Sequence, residues 1–209
     1  MLRILRCVGL VIILAAGLLQ PAPSQVSAMV EFDCTTVTDI PPGECAALVA
    51  LHTAANGAGW ADSTNWLLAP AAEDWYGVTV SGGYVSALNL GSNLLSGGIP
   101  TQLGSLAALE TLDLSHNQLG GAIPVELGSL TALKTLNLGS NLLTGGIPAQ
   151  LGNLVLLEAL DLSHNQLDSA IPVELGSLVL LKTLALNTNL LNGAIPTQLG
   201  NLILLETLD

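Results

Sequence analysis

Aromatic residues are scarce in this chain: three Trp, two Tyr and one Phe among 209 residues. A globular core mixes Phe, Ile, Val and Leu to fill irregular space. Here half the residues are hydrophobic, yet leucine supplies most of the apolar mass, which asks for one site shape repeated many times. Basic residues are rarer still, four Lys and Arg against sixteen Asp and Glu, for a net charge of −12. That excludes the clustered cations that nucleic acid and anionic membrane surfaces require, so no nucleic-acid partner is expected. What is plentiful is Gly (22) and Pro (10), the composition of a chain with many turns.

The longest apolar run is short. It extends from Cys7 to Leu19 behind Arg3 and Arg6, 13 residues against the ~20 of a spanning helix. Pro21 and Pro23 would end such a helix, and Val26-Ser27-Ala28 offers the small residues of a cleavage site. Residues 1–28 therefore read as a signal peptide, with an uncleaved anchor as the alternative. The protein is expected to be secreted, without membrane insertion after cleavage. Losing both arginines takes the net charge from −12 to about −14, with Lys134 and Lys182 as the remaining cations. Cys7 leaves too. Cys34 and Cys45, eleven residues apart, then read as a disulfide of an exported chain; a free pair and a metal site are the other readings, and no His or second Cys pair lies nearby.

From Val85 onward the chain repeats with a period of 24, marked by Asn93, Asn117, Asn141, Asn165 and Asn189 and by Pro100, Pro124, Pro148, Pro172 and Pro196. One unit reads LETLDLSHNQLGGAIPVELGSLTA, Leu109 to Ala132; five units are complete and a sixth begins at Leu205. The L-x-x-L-x-L-x-x-N-x-L spacing is the leucine-rich-repeat signature. Leu112 and Leu114 should point into the core, with Thr111, Asp113 and Ser115 pointing out, and stacked units should form a parallel sheet with strands about 4.8 Å apart. Leu119, Ile123, Leu127 and Leu130 return to the core. The asparagines read as a structural ladder bonding turn backbone. A finer period of 48, NLL and QLG alternating with NQL and ELG, suggests that pairs of units were copied together.

The unit closely resembles the plant-type leucine-rich repeat, whose consensus carries L-(S/T)-G-x-I-P after the asparagine. LSGGIP (Leu95 to Pro100) and LTGGIP (Leu143 to Pro148) match fully; LGGAIP, LDSAIP and LNGAIP depart mildly. The resemblance covers residues 85–209. It implies an α/β repeat solenoid: a right-handed arc with a parallel β-sheet on its concave face, a second small sheet along one flank, and a short 3-10 or irregular convex side.

Residues 29–84 are not repeats, and read as the polar cap that a solenoid needs over its first end. A helical pattern runs from about Glu44 to Ala55 with Asn56-Gly57 as its stop; Leu48, Leu51 and Ala55 would face the first unit. DWYGVTV reads as a strand, Gly82-Gly83 as a turn and YVSALNL as entry into the repeats. This small α+β stretch resembles the N-terminal cap of the same family, including exported bacterial members with EC-x-ALVALY, NG-x-xW and WYGVTC. His52 stands where those carry Tyr, and reads as a helix-surface residue. Asp74 and Val80 stand where a second cysteine pair flanks WYGVT, so the resemblance implies one disulfide, Cys34 to Cys45. The tryptophans Trp60, Trp66 and Trp75 read as core packing, with a sugar platform as the other reading.

A function would sit on the outward positions of the concave face. One column runs Ser86, Glu110, Lys134, Glu158, Lys182, Glu206; its alternating charges should pair across strands. Others run Ala87, Thr111, Thr135, Ala159, Thr183, then Asn89, Asp113, Asn137, Asp161, Ala185, and last Ser92, His116, Ser140, His164, Thr188. The candidate ligand-binding residues are Glu110, Asp113, His116, Lys134, Asn137, Glu158, Asp161, His164, Lys182 and Asn187. No aromatic or arginine lies among them, unlike tight protein hot spots, which suits weak or multivalent contact with an extracellular protein or a polysaccharide. Catalysis is not expected. His116 and His164 lie two strands apart, about 10 Å, too far to share a metal. Asp113 and Asp161 face the same gap as repeat copies, and glycosidase pairs lie roughly 5.5 or 6.5–9.5 Å apart. No cofactor is implied.

Two other readings stand beside recognition. The repeats could be a structural or adhesive surface scaffold, or the sensor ectodomain of a receptor-like kinase. The sequence ends at LETLD on a strand without a polar closing segment, so continuation of the natural chain or self-association through the open end is expected. There is no N-x-(S/T) site, which with the bacterial-like cap leans away from a plant receptor.

Overall fold

The computed structural model describes residues 32–209; the signal-peptide reading of residues 1–28 lies outside them. Each 24-residue unit makes one rung. In the rung that opens at Leu109, the strand Thr111–Asp113 lies on the concave face and the 3-10 turn Val125–Ser129 on the convex side. Leu109, Leu112, Leu114, Leu119, Ile123, Leu127 and Leu130 are all buried between them. Because the first three rungs bury the same positions almost completely, the core is one continuous column of like side chains, which opens only toward the last rungs, where Leu191 is partly buried and Ile195 exposed.

Residues 24 apart lie side by side. Thr111 pairs with Thr135, Thr135 with Ala159, Ala159 with Thr183 and Thr183 with Thr207, all parallel. The concave sheet has seven strands, begun by an antiparallel hairpin, Val78–Ser81 with Tyr84–Asn89. Its turn is Gly82-Gly83, both with positive φ, as a two-residue hairpin turn of this hand demands. A second sheet of four strands, Ser96–Gly97, Gln118–Gly121, Leu142–Gly145 and Gln166–Leu167, follows the asparagines along one flank.

Two kinds of residue hold rung to rung. Asn141 Oδ1 accepts the Leu119 N–H of the preceding rung at 3.0 Å, while its Nδ2 donates to the carbonyls of Leu114 and Leu138. Asn117, Asn165 and Asn189 repeat this pattern. On the convex side Gly104, Gly128, Gly152 and Gly176 pass so near the carbonyls of Glu126, Gln150, Glu174 and Gln198 that a Cβ would collide with them.

The N-terminal cap closes the column. Its helix, Pro42–Ala54, ends at Asn56 in the left-handed region and buries Leu48, Leu51 and Ala55. Cys34 and Cys45 are joined by a disulfide. Trp60, Trp66 and Trp75 pack as core, their indole N–H groups donating to the carbonyls of Ala55, Tyr76 and Ala69. Asn93, first of the ladder, instead exchanges two hydrogen bonds with the backbone of Asp62, tying cap to repeats.

Three expectations are corrected. DWYGVTV is not one strand: a 3-10 turn, Ala72–Asp74, precedes a strand that starts only at Val78. Gly77 breaks it, with φ +78° and no room for a Cβ against the Asn89 carbonyl. Ser115 does not point outward, and it and Ser163 are buried, because the strand alternation ends at Asp113 and Asp161, whose carboxylates capture the following Ser N–H. His52 is not a plain surface residue. It is half-buried, edge-on to Trp60 and stacked on Trp66, and burial lowers its pKa.

Candidate ligand-binding face

The candidate residues form rows because the 24-residue period puts equivalent positions on neighbouring strands. Lys134 Nζ meets Glu110 Oε2 at 2.7 Å and Lys182 Nζ meets Glu158 Oε2 at 2.5 Å, so each lysine turns toward the strand before it. The hydrogen bond and charge of Lys182 hold the Glu158 carboxyl below its usual range, and Glu158 raises the Lys182 ammonium in turn. All four side chains stay about half exposed, within reach of a ligand. Glu206 continues the row on the last strand, exposed.

Asp113, Asn137 and Asp161 lie beyond the intervening Thr111, Thr135 and Ala159 row and are half-buried. Their side chains are already engaged: Asp113 Oδ1 accepts the Ser115 N–H at 2.9 Å, Asn137 Oδ1 the Gly139 N–H at 3.1 Å. Asp161 Oδ1 accepts both the N–H and the hydroxyl of Ser163, at 2.8 and 2.6 Å. These three end the strand, and keep only part of their acceptor capacity for a ligand.

His116 and His164 are exposed, each in the left-handed region at φ 53° and 52°. Ser92, Ser140 and Thr188 share that conformation. The turn lifts this row at the strand ends, and Asn187, also exposed, precedes its last member. The structure thus brings the ten candidates onto one face, but leaves His116 and His164 separated by a strand carrying Ser140. Among the described residues no group of three or more His, Cys, Asp or Glu is placed to hold a metal ion. No helix among them is long and apolar enough to cross a membrane.

Two apolar features escaped sequence reasoning. Leu94, Leu142 and Leu190, each following a ladder asparagine, are 53%, 50% and 67% exposed on the flank, in alternation with Gln118 and Gln166. Val155, Leu156, Val179 and Leu180 form an exposed ridge at the turns entering the strands. The 48-residue alternation was the signal for the first; comparison with Ala107, Ala108, Thr131 and Ala132 at the same positions was the signal for the second.

The family model described as leucine rich repeat matches residues 123–167, and another of that description matches 108–130. No curated protein sequence matches the chain. Among solved structures, the ectodomain of the receptor kinase SOBIR1 from Arabidopsis thaliana is 31% identical, with TM-score 0.67, over 80% of this chain and 90% of that one. The chain belongs to the plant-type leucine-rich-repeat family. A second leucine-rich-repeat ectodomain, of the Arabidopsis thaliana receptor kinase GASSHO1/SCHENGEN3 in complex with CASPARIAN STRIP INTEGRITY FACTOR 2, is 45% identical, with TM-score 0.63, over 65% of this chain and 17% of that one. The plant peptide hormone receptor RGFR1 in complex with RGF2 is 36% identical, with TM-score 0.53, over 53% and 18%. The chain therefore spans less than a fifth of the length of these two receptors.

Proposed function

We propose that this leucine-rich-repeat chain is an exported, non-catalytic recognition module that holds an extended polypeptide against its concave sheet. One observation carries the reading. Thr111, Thr135, Ala159 and Thr183 make a strip of small side chains across adjacent strands, with the Glu–Lys row on one side and, on the other, the row of Asp113, Asn137 and Asp161 backed by the His–Ser row. Such a trough admits a backbone lying across the strands, with charges on one bank and hydrogen-bonding groups on the other. The complexes of GASSHO1/SCHENGEN3 and RGFR1 support a polypeptide occupant by similarity, and export rests on residues 1–28. A linear polysaccharide is the second reading, favoured by the return of Asp, His and Gln on every second strand.

Peptide and glycan arrays probed with the purified chain test this. Peptide binding lost at least tenfold on Ala159→Arg, which fills the trough, and kept by Val125→Arg on the convex side is the expected result. Binding that ignores Ala159→Arg, or capture of glycans alone, overturns the polypeptide reading.

A further inference from the structure

The cap holds a carboxylate that the concave face does not use. Glu44 lies in the first turn of the helix Pro42–Ala54, is only 6% exposed, and accepts the Val85 N–H through Oε2 at 2.7 Å. That is the one hydrogen bond its carboxylate makes among the described residues. Both lysines of the chain are engaged elsewhere, with Glu110 and Glu158. A carboxylate withdrawn from water without a cation is unfavourable, and burial accordingly raises the Glu44 pKa against the pull of the Val85 amide.

Beside this carboxylate lies an open cleft of about 510 Å³, walled by Pro41, Tyr84, Ser105, Ala107 and Ala108, with Glu44 as its one charged residue. Tyr84 is half exposed, its ring free to take a contact. The cleft sits where the cap meets the turn entering the second strand of the repeats, so it does not depend on the concave-face reading.

We propose that this cleft binds the basic side chain, lysine or arginine, of a polypeptide partner. Three features converge on that chemistry. Glu44 lines the cleft and its carboxylate has no cation partner among the described residues; the alanines and Pro41 offer an apolar bed for an aliphatic stem, which long cationic side chains bury while keeping their charge at a polar site. Tyr84 supplies an aromatic ring at the mouth, and cations favour such faces. The chain's net charge of −12 draws basic partners toward it.

The test is NMR titration of the 15N-labelled chain with Nα-acetyl-arginine amide, with Nα-acetyl-norleucine amide as the neutral control. Saturable shifts of the Val85, Ala107 and Ala108 amides with the arginine probe, and none with norleucine, are expected. Glu44→Gln keeps an acceptor for Val85 and removes the charge; it should weaken binding at least tenfold, while Glu174→Gln on the convex surface leaves it unchanged. Equal binding by Glu44→Gln, or shifts spread alike over all surface acids, overturns the proposal. Tyr84→Ala, at an exposed ring, decides the matter should Glu44→Gln fail to fold: a severalfold loss supports the site, and retained affinity refutes it.

Discussion

A Cβ on residue 139 would stand 2.9 Å from Oδ1 of Asp161, so glycine at 139 is what lets that carboxylate lie over the neighbouring rung. Gly91 lies under Asp113 in the same way, its Cβ position 3.3 Å from Oδ1. Where the lower rung carries Ser115 or Ser163 instead, the upper one carries Asn137 or Ala185. The 48-residue alternation is thus a packing relation between adjacent rungs.

Gly139 has an ordinary φ, so a side chain there is opposed by Asp161 and not by the backbone. Gly139→Ser should lower stability by about 1–3 kcal/mol. Asp161→Ala should recover much of the loss in the double variant, as a urea-unfolding double-mutant cycle would read. Additive losses would mean that the two residues do not compete for the space.

Asn141 satisfies backbone groups of two rungs from a position only 6% exposed. Asn141→Ala leaves an N–H and carbonyls unpaired in the interior, an expected loss of about 2–4 kcal/mol. Leu142→Gln, next door but half exposed, should change stability by less than about 0.5 kcal/mol. Chemical denaturation of both variants checks the contrast.

The disulfide Cys34–Cys45 closes a short loop onto the cap helix. Replacing both cysteines by serine should lower stability by about 2–4 kcal/mol through the freed unfolded chain. The melting transition of the variant, compared with that of the reduced native chain, should fall to the same temperature.

His52 lies against Trp60 and Trp66, and its burial favours the neutral ring, so its folded pKa is below the ordinary value of about 6.5. Its contribution is therefore present above that value and is lost as pH falls toward the folded pKa. Glu44, raised by burial, acts in the opposite sense, gaining as the pH falls. The difference in stability between the native chain and His52→Gln should shrink or reverse between pH 7 and pH 5, followed by tryptophan fluorescence during denaturation. A difference constant with pH would place His52 in contact with solvent.

Much of this molecule could be read from the residues alone. A 24-residue period with leucines at fixed places leaves few ways to bury them except by stacking, so the rung, the parallel register and the asparagine ladder follow from spacing. The cap helix and the pairing of Cys34 with Cys45 were legible for a similar reason: the stop at Asn56-Gly57 and the separation of the cysteines are local. The alternating Glu and Lys were readable as a row because the register of the sheet is the period of the sequence.

What spacing could not reveal is what happens between side chains of different segments. Ser115 looked outward by alternation, but it is buried where the strand ends, its N–H held by Asp113. His52 looked exposed on its helix, but Trp60 and Trp66 return from the following loop to cover it. Glu44 read only as the start of a helix until the hairpin placed the Val85 amide on it and the first turn of the repeats placed Ala107 and Ala108 alongside. Periodicity decides which residues share a column; burial and charge balance depend on contacts across the chain, and those exist only once it has folded.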